Sequence, residues 1–349
     1  MRLNNGRVTD QQVEFYSALA SGGAGLIITG LFWVHPSGRI ALSQNSIAED
    51  EDVEGLKRLT DSVHKFGAKI ALQLSHGGRE ARFVKTKNEL PMAPSLVKKD
   101  LYFDGDHRAM SVDDIWEVIN AFGDGARRAR DAGFDCVQLH GAHAYLLSQF
   151  LSPYTNRRDD EWGGSLVKRL RIHREIYKDI RHKVGKDYSI LIKIGVQDGF
   201  SGGLKFDEGK ESAKYLAKVG YDGLEISQGL RGKKYEGTEF RTKIITVDHE
   251  AYYRRWTREV KREVHVPVMI VGGLRTFSLM EEIVEKLEAD LISLCRPLIR
   301  EPNIINAWAS GDPRRSSCIS CNKCYENLFK GMSLGCVFDE SEELLLSGN

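Results

Sequence analysis

Short apolar runs alternate along the chain with stretches in which apolar residues recur every three or four positions. The short runs are rich in Val, Ile and Leu and are bounded by glycine or polar residues, which is typical of buried parallel strands. Seven runs predict strands: residues 25–30, a run that begins at Lys69, and residues 136–139, 189–194, 223–227, 266–271 and 290–294.

Helices are predicted between these strands. Thr9 with Gln12 and Ser111 with Asp114 predict the starts of two helices, because such side chains cap the first free backbone N–H groups. Two later apolar stripes run as far as Phe66 and Leu287, which predicts that both residues lie on the buried faces of helices.

The alternation of strand and helix predicts an α/β fold, specifically a (β/α)8 TIM barrel whose functional site lies at the carboxyl ends of the strands. A doubly wound parallel sheet is the alternative architecture. A closed barrel needs eight strands and the sequence shows seven, so we expect the first strand to be missing from this sequence, before Met1. A barrel that closes in another way is the other interpretation.

Composition narrows the class of partner. The chain has 349 residues, of which 41% are hydrophobic and 28% charged, and its net charge is +1. A near-neutral chain without long runs of one charge argues against nucleic acid or a membrane surface as the main partner and favours a small-molecule substrate. No apolar run approaches about 18 residues and the first residues lack a signal-peptide core, so we expect a soluble, cytoplasmic protein.

Chemically active side chains gather after the strand predicted at 136–139. His140, His143 and Tyr145 follow it directly. Two imidazoles can donate hydrogen bonds to one carbonyl or anion, and a phenol can donate a proton at neutral pH, so the group predicts a reduction or enolisation site. Satisfied core histidines or a metal-binding pair are the alternative interpretations.

The segment His140-Gly-Ala-His-Ala-Tyr-Leu-Leu-Ser-Gln-Phe-Leu-Ser-Pro153, followed by Asn156-Arg-Arg-Asp-Asp-Glu-Trp-Gly-Gly-Ser165, resembles the Old Yellow Enzyme family of flavin-dependent ene-reductases. The resemblance implies that residues 1–312 form an FMN-binding barrel and residues 313–349 a cysteine-rich segment. It also implies that NADH or NADPH gives a hydride to flavin N5, which passes it to an α,β-unsaturated carbonyl compound. In this scheme His140 and His143 hold the carbonyl oxygen and Tyr145 protonates the α-carbon.

Several further positions match residues that hold FMN in the family. Gln73 would bond the pyrimidine edge of the flavin; a core amide bonded to backbone is the alternative. Lys193 would stabilise negative charge on the ring system; a buried ion pair with a carboxylate is the alternative. The remaining matches are one glycine near the ring and four residues of a phosphate site: Gly30, then Gly272, Gly273, Cys295 and Arg296.

Four cysteines near the end of the chain predict a metal site. Cys318, Cys321, Cys324 and Cys336 have the short spacings that suit an iron-sulfur cluster or zinc in a cytoplasmic protein. Relatives such as 2,4-dienoyl-CoA reductase hold a [4Fe-4S] cluster at this point, although their second spacing is one residue longer. Zinc and free or redox-active thiols are the alternatives.

Three functions follow from these interpretations. The first is an FMN-dependent ene-reductase, and the second is an electron-transferring dehydrogenase or dienoyl-CoA-type reductase that uses both flavin and cluster. The third, from another class, is a flavin-free truncated barrel that acts as a binding protein. The resemblance also allows a homo-oligomer and a separate electron-transfer partner.

Overall fold

The computed structural model describes residues 6–81, 90–233, 238–329 and 334–338. Its strands, in chain order, are β1 (Leu26–Trp33), β2 (Asn45–Ser46), β3 (Lys69–Ser75), β4 (Met92–Ala93), β5 (Arg108–Ala109), β6 (Cys136–Gly141), β7 (Ser189–Gly195), β8 (Gly223–Ser227), β9 (Val268–Ile270) and β10 (Leu291–Ile292). All seven predicted strands are among them. The two-residue strands β2, β4 and β5 are additional, and β4 pairs only with β5.

The main sheet is parallel throughout and has the order β10-β9-β8-β7-β6-β3-β1-β2. Apart from β2, each strand lies next to the one that follows it in the chain, so the sheet winds in one direction. A doubly wound sheet would reverse direction partway along the order. The architecture is therefore a (β/α) barrel, and β10 and β2 stand at the two ends of the strand order within the described residues.

Helices connect the strands. They are α1 (Asp10–Ser21), α2 (Val53–His64), α3 (Val112–Asp131), α4 (Leu146–Leu151), α5 (Leu166–Arg169), α6 (Arg171–Val184), α7 (Phe206–Val219), α8 (Arg254–Lys261), α9 (Phe277–Glu285), α10 (Arg296–Arg300), α11 (Ile304–Ala309) and α12 (Lys323–Phe329). Among the described residues, none of these helices combines the length and apolar character needed to cross a bilayer.

Local sequence signals set the starts of α1 and α3. The Thr9 side chain accepts from the backbone N–H of Gln12, while the Gln12 side chain accepts from the N–H of Thr9. Ser111 and Asp114 make the same reciprocal pair at the start of α3. Both predicted caps are confirmed.

The predicted positions of Phe66 and Leu287 are wrong. Helix α2 ends at His64 and α9 at Glu285, so each residue lies just beyond a helix, and their exposed fractions are 51% and 74%. Leu287 has φ +53°, a left-handed conformation that cannot continue a helix. The spacing of apolar residues predicts which face of a helix is buried, but it does not predict the residue at which the helix ends.

Two apolar clusters form the core. The large one fills the space between the sheet and the helices, and a small one lies inside the barrel. The small cluster contains Ala71, Cys136, Leu191 and Met269, one residue from each of four strands. Burial there raises the pKa of the Cys136 thiol to about 12, so this cysteine serves packing.

Candidate active site

His140, His143 and Tyr145 come together where β6 leads into α4: His140 lies near the end of β6, and Tyr145 immediately precedes α4. The ring centroids of His140 and His143 are 4.8 Å apart, and those of His140 and Tyr145 are 5.1 Å apart, both in edge-to-face contact. His143 and Ala144 have φ values of +59° and +64°, which turn the chain sharply after the strand. The sequence predicted this gathering, and the turn brings it about.

The neighbouring loop holds this strained turn in place. The backbone N–H of His143 donates to the carbonyl of Gln228 at 3.0 Å, and that of Ala144 donates to Gly229 at 3.2 Å. The amide of Gln149 donates to the Ala144 carbonyl at 2.7 Å. Left-handed non-glycine residues persist only where their surroundings fix them, and these bonds do so.

Both histidines and the tyrosine are uncharged at neutral pH. Burial lowers the pKa of His140 and of His143 well below 6.5, and burial raises the pKa of Tyr145 well above 10. Nε2 of His143 lies 2.7 Å from the hydroxyl oxygen of Ser227. Nδ1 of His140 is buried and has no hydrogen-bond partner among the described residues.

A row of polar side chains crosses the barrel interior. Gln73 Nε2 donates to Gln138 Oε1 at 2.5 Å, and Gln138 Nε2 donates to Glu225 Oε2 at 3.0 Å. Lys193 Nζ donates to Glu225 Oε1 at 2.9 Å. The row ends beside His140, which is paired in register with Lys193 on the adjacent strand.

The polar row gives the hydrogen-bond partners of two predicted flavin ligands, Gln73 and Lys193. The amide of Gln73 bonds a side chain, not the backbone partner of the alternative interpretation, whereas Lys193 forms the ion pair that was the alternative for that residue. Sequence reasoning missed Gln138 and Glu225. The available signal was a polar residue at every second position of a buried strand, as in Gln138-Leu-His140.

Gly272 and Gly273 follow β9 and pack against an aromatic ring. Their φ values are +133° and +74°, and a Cβ atom at either position would lie 3.0 Å from the ring of Tyr252. The phenol of Tyr252 in turn donates to the carbonyl of Glu239 at 2.7 Å. The glycines thus allow the loop after β8 to lie close to the loop after β9.

Cys295 and Arg296 begin helix α10. Arg296 Nη1 donates to the carbonyl of Arg241 at 2.8 Å and to Oδ1 of Asn322 at 2.6 Å. Cys295 is exposed, and the surrounding protein raises the pKa of its thiol. Arg296 therefore links the loop after β8 to the cysteine-rich segment.

Gly30 lies on β1 at a bulge. Its backbone N–H donates to the phenol oxygen of Tyr16 at 2.8 Å, and a Cβ atom there would approach that oxygen no closer than 3.7 Å. Nothing among the described residues requires glycine at this position.

Arg275 was not predicted from the sequence. It lies two positions after Gly273, is 3% exposed and donates from Nη1 to the carbonyl of Cys318. Its Nε and Nη2 atoms are buried without a partner in the described part of the chain. A buried guanidinium with free donors fits an anionic ligand. The sequence feature that could have identified Arg275 is the motif Gly-Gly-Leu-Arg, which places an arginine just after the two glycines of the predicted phosphate site.

The four C-terminal cysteines line one cavity. Cys318 is buried and the other three thiols are partly exposed. Arg296 and Arg300 line the same cavity, and Nη1 of Arg300 lies 3.2 Å from Sγ of Cys336. Within the ranges that the structure describes, no three histidine, cysteine or carboxylate side chains are arranged as ligands of one metal ion.

The loop after β8 supplies charged residues that the sequence did not single out. Arg231 Nε lies 3.1 Å from each carboxylate oxygen of Glu239, and Nη2 donates to Oε1 at 2.7 Å. Oε1 of Glu239 is 4.0 Å from Nδ1 of His143. The sequence of this loop contains no motif or periodicity that predicts the pairing of Arg231 with Glu239.

The chain is similar in sequence to known flavin oxidoreductases. Residues 2–314 match the model of the NADH:flavin oxidoreductase / NADH oxidase family. An NADH oxidase of Thermoanaerobacter brockii is 36% identical over 321 residues, which are 91% of this chain and 48% of that protein. The chain thus spans about half the length of this relative.

Solved structures show the same fold. The complex of 2-naphthoyl-CoA reductase with 2-naphthoyl-CoA has a TM-score of 0.87 at 26% identity, over 96% of this chain and 52% of that one. The old yellow enzyme homologue from Zymomonas mobilis has a TM-score of 0.73 at 25% identity, over 88% and 85% of the two chains. The predicted resemblance is confirmed.

The unpartnered ring nitrogen of His140 and the unpartnered guanidinium atoms of Arg275, together with the polar row, fit a flavin with its phosphate. The family match implies FMN, with NADH or NADPH as reductant. The chain therefore belongs to the NADH:flavin oxidoreductase / NADH oxidase family.

Proposed function

We propose that this chain is an FMN-dependent oxidoreductase that takes a hydride from NADH or NADPH and delivers it, through flavin N5, to an activated alkene such as an α,β-unsaturated carbonyl compound. The observation that carries the proposal is the position of the His140 ring, whose centroid lies 4.8 Å from that of His143 and 5.1 Å from that of Tyr145, beside the interior polar row. Bound FMN would supply the hydride transfer.

The barrel, residues 1–312, would hold the flavin through residues at the strand ends. Gln73 and Lys193 are candidates for the ring system, because both belong to the polar row that ends at His140. Gly30 is a weaker candidate for the ring. The candidates for the phosphate and its surroundings share one region of the loops after β9 and β10: Gly272, Gly273, Arg275, Cys295 and Arg296.

The histidines and the tyrosine would act on the substrate. Neutral imidazoles of His140 and His143 can donate hydrogen bonds to the carbonyl oxygen and stabilise the charge that develops there. Ser227 keeps the His143 ring in position through its 2.7 Å contact with Nε2. The buried phenol of Tyr145 keeps its proton at neutral pH and can give it to the substrate α-carbon.

Spectroscopy of natively purified protein tests the proposal. We expect bound flavin that NADH or NADPH reduces without oxygen and that an α,β-unsaturated ketone then reoxidises. Protein that lacks flavin and cannot take it up would instead support the binding-protein alternative. Flavin that NAD(P)H reduces but no activated alkene reoxidises would overturn the assignment of substrate class.

A second candidate is a dehydrogenase or dienoyl-CoA-type reductase that also uses a [4Fe-4S] cluster in residues 313–349. It is favoured by the single cavity that Cys318, Cys321, Cys324 and Cys336 line. Zinc is the alternative metal. Electrons could then come from a separate protein partner, and the active form could be a homo-oligomer.

Metal analysis separates the two candidates. Protein purified without oxygen should contain iron and acid-labile sulfide if the cluster forms, and zinc without sulfide if the alternative holds. Cys324→Ser should remove the metal, whereas Cys136→Ala, which changes a thiol inside the barrel, should retain it. Absence of both metals from the anaerobic preparation would leave the ene-reductase as the function.

A further inference from the structure

Arg231 lies against the proposed proton donor. Its guanidinium carbon is 5.9 Å from the ring centroid of Tyr145 and 5.6 Å from that of Phe240. Only 12% of its side chain is exposed. A largely buried cation therefore lies within cation–π distance of two aromatic rings, one of them the ring of Tyr145.

Two carboxylates bind this guanidinium. Glu239 binds it through both oxygens, and Glu80 Oε2 lies 3.8 Å from Nη1. The side chains of Glu239 and Glu80 are 5% and 16% exposed. A planar guanidinium fixed by a bidentate partner has little freedom to leave its place beside Tyr145.

Charged and titratable groups surround the Tyr145 ring on several elements. Burial is the main reason that the pKa of Tyr145 lies above its usual range, and Arg231 has the largest opposing effect. His140 contacts this ring edge to face at 5.1 Å, and Glu80, Glu239 and Tyr325 also act on the Tyr145 hydroxyl through their charges. Glu80, Glu239 and Tyr325 each raise the pKa, so Arg231 is the group among them that favours an anionic oxygen.

We propose that Arg231 is a positioning residue for Tyr145: its clamped guanidinium stabilises the oxygen of Tyr145 after that oxygen has given its proton to the substrate. In this step the O–H bond of Tyr145 breaks, and a C–H bond forms at the substrate α-carbon with the electron pair of the former C=C bond, whose β-carbon has received the hydride. The electron pair of the O–H bond stays on the phenolate oxygen, and water later returns the proton. The inference rests on the proposed function, in which Tyr145 is the proton donor.

The physical reason is the charge that proton transfer creates. A neutral phenol becomes an anion in a buried site, and a buried anion without a nearby cation is costly. Arg231 is already paired and desolvated before the reaction, so it needs little reorganisation when the charge appears. Its carboxylate partners keep the guanidinium in place in the resting state.

Half-reactions measured without oxygen test this role. Arg231→Met should slow reoxidation of the reduced flavin by an α,β-unsaturated ketone by about threefold to tenfold, the range for a change of about one pKa unit in the donor. It should also increase the solvent deuterium isotope effect of that step and leave reduction by NAD(P)H unchanged. Arg231→Lys should recover part of the rate.

The matched control is Arg157→Met. Arg157 also lies over a tyrosine ring, 5.2 Å from the centroid of Tyr154, and it is exposed. We expect wild-type values for both half-reactions and for the isotope effect in this variant. Loss of rate equal to that of Arg231→Met would show a general effect of removing arginine from an aromatic contact and would overturn the proposal.

A double substitution separates this inference from the proposed function. In a Tyr145→Phe background, Arg231→Met should cause no further slowing of reoxidation, because the group it acts through is gone. Slowing as large as in the wild-type background would overturn the role of Arg231 and leave the proposed function intact. If Tyr145→Phe itself has no effect, Tyr145 is not the donor and both statements fail.

A second variant keeps the proposal testable if Arg231→Met does not fold. If Arg231→Met does not retain flavin, Arg231→Lys decides, since it keeps a positive charge beside the ring. A larger isotope effect confined to reoxidation supports the proposal. Equal loss in both half-reactions with an unchanged isotope effect overturns it.

Discussion

Lys193 and Glu225 occupy paired positions on β7 and β8, and Nζ of the lysine lies 2.9 Å from Oε1 of the glutamate. Their side chains are 13% and 4% exposed. The protein itself compensates the charge of Lys193, so a flavin beside it would meet an ion pair and not a lone cation. The balance between these two charges is therefore expected to tune the reduced flavin.

Substitution of either partner should shift the flavin midpoint potential in opposite directions. Glu225→Gln removes a negative charge and favours the anionic reduced flavin, so the potential should rise; Lys193→Met should lower it. A shift of about 30 mV corresponds to about 1.4 kcal/mol for a two-electron couple. Redox titration measures both, and shifts of the same sign would place the pair away from the flavin.

Ser227→Ala should weaken the binding of a phenolic ligand. The variant removes the oxygen that lies 2.7 Å from Nε2 of His143, so the ring loses its orienting partner. We expect a loss of about 1 kcal/mol, roughly fivefold in the dissociation constant. Ser212→Ala is the control, because Ser212 is buried on α7 and donates to the Glu208 carbonyl. An unchanged dissociation constant for Ser227→Ala would remove this serine from the site.

His173→Leu should reduce the acid sensitivity of the fold. His173 is fully buried with neither ring nitrogen bonded among the described residues, and burial lowers its pKa to about 4. The unfolded chain binds this proton below the ordinary pKa of about 6.5, so stability falls as pH drops through that value and the loss is complete below pH 4.

The expected pH dependence of the free energy of unfolding is large enough to measure by urea unfolding. At about pH 5 the buried histidine accounts for a loss on the order of 2 kcal/mol in the free energy of unfolding relative to about pH 8. Urea unfolding at the two pH values should show this loss in the wild type but not in His173→Leu. His182→Leu, an exposed position on the same helix, should behave as wild type. Equal pH dependence in all three proteins would disprove the assignment.

Gly272→Ala should destabilise the loop after β9. The added Cβ would lie 3.0 Å from the ring of Tyr252, and φ is +133°. Gly311→Ala is a matched control, because Gly311 has φ +93° but nothing within 4 Å of the added atom. We expect Gly272→Ala to cost about 1 kcal/mol more in the free energy of unfolding. Equal costs would mean that the Tyr252 contact contributes nothing.

Local rules explain what the sequence predicted correctly. The caps at Thr9 and Ser111 depend on residues three positions away, so spacing alone identifies them. His140, His143 and Tyr145 lie within six consecutive residues at the end of one strand, so their closeness in the chain already predicts that they gather. The order of strands followed from their regular alternation with helices.

The side-chain contacts that the sequence did not predict join residues that are far apart in the chain or lie in irregular loops. Lys193 and Glu225 are separated by 32 residues, and only the register of β7 on β8 brings them together. Arg231 and Glu239 lie in a loop without periodicity, so no pattern marks them. The contact of Tyr252 with Gly272 likewise depends on how two loops lie in space.

The most direct test of the account is the behaviour of Tyr145→Phe in the two half-reactions. We expect NAD(P)H to reduce the flavin of this variant at nearly the wild-type rate, while reoxidation by an α,β-unsaturated ketone becomes about a hundredfold slower, the usual contribution of a positioned proton donor. Equal loss in both half-reactions, or none in either, would contradict the assignment of Tyr145 as the proton donor.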